Sequence, residues 1–149
     1  MGDFPVSSFR LGETGLLRVL GELEKQIMEA IWGSGAVAIR DVWAALSRER
    51  DISFNAVMTV MNRLVEKGLL AREGQKGGYV YSAVYDRSEF LGHVSERVAQ
   101  GLVEDFGEFA VPQFLKALET ASPDLLAKLR EALGEEGARS LDGADDSGE

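Results

Sequence analysis

Apolar residues recur along this chain with two different periods, and the change of period marks out its elements. Over 22–32, Leu23, Ile27, Ala30 and Ile31 fall on one helical face at i, i+4, i+7 and i+8, and Gly33-Ser34-Gly35 stops the pattern. Residues 36–39 suit a short extended piece. A second helix is expected over 40–48, burying Val42, Ala45 and Leu46. Ser53 is a good N-cap for a third helix over 54–67, with Gly68 as its stop. Trp32 and Trp43 lie on apolar helix faces and read as core.

The period then shortens to two. Residues 69–73 read as one strand, the glycine-rich 74–78 as a turn, and 79–84, rich in β-branched and aromatic residues, as the return strand. Helical spacing resumes after Asp86, which caps a fourth helix with Glu89 at the capping-box position. That helix should reach about 103 and break at Asp105-Phe106-Gly107. A fifth is expected over 109–118, bent at Pro112. Ser122-Pro123 opens a sixth that buries Leu125, Leu126, Leu129 and Leu133 and stops at Gly134. Residues 1–20 read as a loose arm in which Leu16, Leu17 and Leu20 could dock.

Three helices followed at once by a hairpin spell a winged helix-turn-helix. The fold class is therefore mainly α with a small β-hairpin wing. The expected organisation is an arm at 1–20, a winged-helix DNA-binding domain at 21–85, a helical dimerisation region at 86–134 and an acidic disordered tail at 135–149.

The third helix has two faces. Val57, Val60, Met61 and Leu64 form an apolar stripe, while Asn55, Thr59, Asn62, Arg63 and Glu66 form a stripe of hydrogen-bonding groups. Such a face can lie in a major groove: Asn reads adenine edges, Thr touches bases or a thymine methyl, and Arg bonds guanine or phosphate. An ordinary solvated face carries the same pattern. The hairpin with Lys76 near its tip, the Ser53 cap and the preceding short helix tip the balance toward DNA.

Charge changes this picture less than its total suggests. The net value is −9, but residues 21–87 balance nine bases against nine acids, and residues 88–149 hold fourteen acids against five bases. Within 53–76 there are four bases and two acids. DNA binding needs a local basic face rather than a basic protein. No apolar run is long enough to cross a bilayer, and Asp3, Pro5 and Glu13 interrupt any leader-like start, so a soluble, cytoplasmic protein without direct membrane binding is expected. The chain has no cysteine, which removes disulfides, thiolate metal sites and thiol chemistry. The lone His93 has no second ligand near it in sequence, and no nucleophile, metal or acid–base constellation stands out. The expectation is a non-enzyme with no cofactor and no metal.

Several segments together closely resemble the penicillinase-repressor family of BlaI/MecI/CopY regulators. They are Leu23-Glu24, Ile27-Met28, Ile31-Trp32, Ile39-Arg40-Asp41-Val42, the run from Val57 to Leu70 (VMTVMNRLVEKGLL) and Tyr79-Val80-Tyr81-Ser82. The resemblance covers roughly residues 20–133. It implies homodimers that bind palindromic operator DNA through winged helices and pair through C-terminal helices. Carried over by position, Ser53, Asn55, Ala56, Thr59, Asn62 and Arg63 occupy the recognition-helix region, and Lys67, Arg72, Lys76 and Tyr79 the flanking contacts, with phosphate the partner of the three cations. Many members have two threonines where this chain has Asn55-Ala56, and the arm is longer than usual.

The lack of cysteine excludes the copper-responsive branch. In the β-lactam-responsive branch, a membrane sensor-protease triggers a cut between an Asn and a Phe. Asp105-Phe106 is the matching position here, so relief by proteolysis there is an expectation of the resemblance alone. Dimerisation is expected through Phe90, Leu91, Val94, Val98, Leu102, Leu126, Leu129 and Leu133, whose stripes one chain alone would leave exposed. Two alternatives stay open: a winged-helix regulator switched by a small molecule, and a winged-helix protein-interaction module without specific DNA binding.

Overall fold

A computed structural model of the chain describes residues 4–144, with side chains for 4–134. Two compact units divide between Val98 and Ala99.

In the first unit, α1 (Glu22–Trp32), α2 (Ile39–Ser47) and α3 (Phe54–Glu66) pack around one core. Ile27, Met28 and Ile31 of α1, Val42 and Leu46 of α2, and Val57, Met61 and Leu64 of α3 are all buried there. The apolar spacing read from the sequence supplies these residues except Met28, and of the positions it expected to bury in α2, Ala45 is exposed. The helix ends are made by local hydrogen bonds. Ser53 Oγ accepts from the Ala56 amide at 3.1 Å, satisfying one orphan donor of α3. At the other end Gly68 takes φ +84°, where a side chain would be strained. This lets the Leu69 amide reach back to the Leu64 carbonyl at 2.9 Å, and both leucines are buried.

That turn launches the wing. Strands β1 (Leu70–Glu73) and β2 (Val80–Ala83) pair antiparallel, with Arg72 opposite Tyr81. Val37, in the link between α1 and α2, bridges to Tyr81 through two backbone hydrogen bonds of 2.9 and 2.7 Å. This is the short extended piece expected near 36–39, and it ties the base of the wing to the helices. The two tryptophans are half-buried and use their indole donors: Trp32 Nε1 donates to the Tyr85 carbonyl and Trp43 Nε1 to the Ile52 carbonyl, both at 2.9 Å.

Residues 4–20 of the arm are docked rather than loose. A 3-10 turn at Gly15–Arg18 places Leu16 and Leu20 in the core. The Arg10 amide bonds the Arg18 carbonyl at 2.7 Å, and Arg10 Nε donates to the Leu17 carbonyl at 3.0 Å. Phe4 packs on Tyr85, Phe90 and His93, with ring centroids 5.2–5.5 Å away. Weak periodicity hides this docking, because each contact depends on residues distant in sequence.

Helix α4 (Arg87–Ala121) starts with the expected reciprocal box: Glu89 N–H donates to Asp86 Oδ1 at 2.8 Å and Asp86 N–H to Glu89 Oε1 at 3.1 Å. Its first turns belong to the first unit, and there the structure corrects one expectation. Phe90, assigned to the dimer interface from its helical stripe, has no exposed surface. It fills the core against Trp32 and Phe4, so it has no face left for a partner.

The second unit contains the rest of α4 and α5 (Pro123–Ala144). Gly107 interrupts α4 with φ +40°, ψ −116°, at the break expected from Asp105-Phe106-Gly107. Ser122 Oγ accepts from the Leu125 amide at 3.3 Å and caps α5. Gly134 does not stop that helix, which continues to Ala144 through residues expected in the tail. A glycine ends a helix by turning left-handed; Gly134 keeps a negative φ, and helix formers follow it at Glu135, Glu136, Ala138 and Arg139. Residues 145–149 of the expected tail lie outside the described residues. Among the described side chains from 99 to 134, none is buried.

Candidate nucleic-acid interface

The core fixes which side of α3 faces outward. With Val57, Met61 and Leu64 wholly buried, Asn55, Thr59, Arg63 and Glu66 are exposed on the far side. Thr59 Oγ1 donates to the Asn55 carbonyl at 2.8 Å, which occupies its proton and leaves its lone pairs and methyl outward. Ser53 Oγ accepts the cap hydrogen bond from the Ala56 amide, which leaves its O–H as a donor, and Ala56 is half-buried beside it.

Asn62 differs from its neighbours in the stripe. It is half-buried, and its Oδ1 accepts from the Tyr81 hydroxyl at 2.9 Å and from Arg72 Nη1 at 3.0 Å. The Arg72 guanidinium also lies over the Tyr79 ring, 4.4 Å from its centroid. Arg72, Tyr79 and Tyr81 share a face of the wing because side chains two apart on a strand, or opposite across the ladder, point the same way. Asn62, Arg72 and Tyr79 therefore come together, though they lie on separate elements. Tyr81 was read as a strand residue within a segment of the family resemblance. Its role as a buried hydroxyl under α3 had no local signal in the sequence.

Lys67 lies just past α3, and its Nζ is 2.6 Å from Glu24 Oε2 on α1. Burial opposes ionisation of Glu24, but hydrogen bonds from Lys67 and the Gly21 amide, with the charges of Lys67 and Arg63, outweigh it and hold the carboxyl below the ordinary glutamate range. A depressed folded pKa contributes stability above the unfolded value and loses it as pH falls through the folded value. Melting temperatures below about pH 4.5 should therefore fall more steeply with falling pH for the wild type than for Glu24→Gln. Superimposable acid limbs would remove this pair from the pH dependence. Lys67 thus pairs with a carboxylate while staying exposed, and Lys76 stands exposed in the wing turn with no ion pair among the described residues.

Elsewhere, His93 is half-buried between Phe4 and Tyr85. No group of three His, Asp or Glu side chains among the described residues could hold a metal ion. No helix among them is long and apolar enough to cross a membrane. In the second unit, Leu102, Phe106, Phe109, Ala110, Gln113 and Phe114 line an open apolar hollow of about 450 Å³. Phe106, Phe109 and Phe114 are 60, 76 and 53% exposed. Of the side chains expected to pair two chains, Leu91, Leu102 and Leu133 are exposed, and Val94, Val98, Leu126 and Leu129 are half-buried. The sequence reading passed over Phe109 and Phe114 because Gly107 and Pro112 interrupt the helical pattern around them, although three phenylalanines within nine residues were a usable signal.

The penicillinase repressor family profile matches residues 20–135. The chain is 33% identical over 120 residues to the transcriptional regulator BlaI of Mycobacterium tuberculosis, spanning 78% of this chain and 83% of that protein. An uncharacterized 16.5 kDa protein of Latilactobacillus sakei is 30% identical over 95 residues, covering 64 and 62% of the two chains. Among solved structures, the DNA binding domain of the repressor BlaI is similar, with 26% identity over 47% of this chain and 85% of that chain and a TM-score of 0.43.

Proposed function

Because this chain belongs to the penicillinase repressor family of transcriptional regulators, we propose that it is a dimeric repressor that binds an inverted-repeat operator. The observation that carries the reading is the outer face of α3. Asn55, Thr59 and Arg63 stand exposed in a row on a helix whose other side is locked into the core, with the cationic wing beside it.

In this reading α3 enters the major groove. Asn55, Thr59 and Arg63 meet base edges, and Arg72 and Lys76 meet phosphate. Two chains related by a two-fold axis present two such helices, which requires an inverted repeat. The second unit supports pairing: it buries none of its described side chains alone, while its phenylalanines stand open. A surface of that kind is stabilised by burial against a partner. The interface therefore centres on Phe106, Phe109 and Phe114 together with Leu102, Leu126, Leu129 and Leu133.

The test is fluorescence anisotropy of the purified protein. It would use duplexes from upstream of its own coding region and duplexes selected from a random pool, each against scrambled DNA. Two chains per inverted-repeat site, with affinity falling steeply as salt rises, is the expected result. Equal binding to specific and scrambled duplexes after selection would overturn it. Arg63→Ala should weaken specific binding by about 1–3 kcal/mol if the guanidinium reads a base. No change at matched salt would remove that assignment.

Proteolytic relief fits the same arrangement. The Asp105–Phe106 bond directly precedes the Gly107 break, and Phe106 is largely exposed. A cut there would sever the winged helix from most of the proposed interface and leave two weakly held half-sites. Intact-mass analysis of induced cells should find a fragment ending at Asp105. Induction with only full-length chain present would exclude this route.

A further inference from the structure

We propose that Asn62 is a positioning residue rather than a base reader: its side-chain carbonyl holds the Arg72 guanidinium of the wing in place for a DNA phosphate. This rests on the reading of α3 and the wing as the DNA interface.

The argument starts from the chemistry of the two partners. A guanidinium only donates hydrogen bonds, so the group of Asn62 that faces Arg72 must be its oxygen and not its amide nitrogen. That oxygen also receives the Tyr81 hydroxyl, at 2.9 Å against 3.0 Å for Arg72. Both of its acceptor positions are taken. Reading adenine with an amide needs the same oxygen to accept from the base while the nitrogen donates. Asn62 could do this only by releasing one of the two, either the bond that orients Arg72 or the one that satisfies the hydroxyl of a residue with no exposed surface. Asn55, two turns earlier in the same stripe, has no such commitment among the described residues.

Arg72 is held from two directions. Asn62 fixes one Nη, and the Tyr79 ring supports the plane of the guanidinium at 4.4 Å. The residue nonetheless remains exposed, with further N–H donors unspent. A guanidinium already oriented loses less freedom when it meets an anion than one waving in solvent. Asn62 lies on α3 and Arg72 on β1, so one bond also sets the spacing between the helix that enters the groove and the wing that meets the strand beside it.

The experiment titrates wild type, Asn62→Ala, Arg72→Ala and the double variant onto the selected operator duplex. It is run over a salt series and against operators carrying each single base-pair change. Arg72→Ala should weaken binding about equally on every operator and reduce the salt slope by about one. Asn62→Ala should do the same to a smaller extent, with no base position relaxed, and should add nothing in the Arg72→Ala background. Because Asn62→Ala strands the buried Tyr81 hydroxyl, the series is repeated with Asn62→Ala/Tyr81→Phe, which removes the stranded group. Tyr81→Phe alone keeps the Asn62–Arg72 bond and should keep the wild-type slope. Relaxed discrimination at one base pair with an unchanged slope, or additive losses in the double variant, would overturn the assignment. A wild type with no preference for operator over scrambled DNA would overturn the DNA-binding reading itself, and this assignment with it.

Discussion

Phe109→Glu is expected to convert the dimer to a monomer at micromolar concentration and to lower operator affinity by about 10²–10⁴-fold, the range by which linking two binding modules raises avidity. Phe109 is 76% exposed in a single chain, beside Phe106 and Phe114 around one apolar hollow. Full burial of a phenylalanine against a partner contributes roughly 1.5–3 kcal/mol, and a two-fold interface uses each residue twice. A carboxylate at the same place would have to be desolvated in both copies, so the substitution loses the gain and adds a cost. The winged unit does not contain this residue, so its folding should be untouched. Light scattering reads the mass, and anisotropy reads the affinity with its stoichiometry. A variant that remains dimeric would place the interface elsewhere. A monomer that keeps wild-type affinity would mean that one winged helix suffices and that no inverted repeat is required.

The second large effect concerns Phe90, and its sign of failure is different. Phe90→Ala should cost about 3–5 kcal/mol of stability, the range for removing a buried aromatic side chain. Phe90 has no exposed surface, and its ring lies 5.4 Å from Trp32 and 5.5 Å from Phe4. The loss should appear as a lower melting temperature with the dimer dissociation constant unchanged. If dimerisation weakened instead, with stability intact, Phe90 would belong to the interface after all. The same substitution tests the arm, because Phe4 packs directly on the ring that is removed. Deleting the residues before Gly12 should destabilise the winged unit in the same direction, by less.

Neither outcome was equally legible beforehand. Phe90, Leu91, Val94 and Val98 repeat at helical spacing, and a helix wheel treats them alike. Only the docking of α4's first turn separates a core residue from an open one. The arm illustrates the converse. Leu16 and Leu20, named only as residues that could dock, are buried, while Phe4, with no pattern to advertise it, packs its ring against three others. At the interface, the outer stripe of α3 was readable because its inner stripe is apolar. The different behaviour of Asn62 was not, since its partners lie ten and nineteen residues away on the wing.

Local physical chemistry, written in the order of residues, determined the elements and most of their ends, Gly134 excepted. Apolar period set helix against strand, Ser53, Asp86 with Glu89, and Ser122 supplied caps, and Gly68 ended α3. These are interactions within a turn or two of chain, so sequence alone contains them. The family resemblance rests on particular residue runs between about 20 and 133, and the family profile matches residues 20–135. Tertiary structure decided what each face meets. It put Phe90 and the arm into the core, joined Lys67 to Glu24 across forty-three residues, and turned the carbonyl of Asn62 toward Arg72 and Tyr81. Whether an exposed-looking polar or apolar group is free for a partner depends on contacts distant in sequence, and no helical period records them.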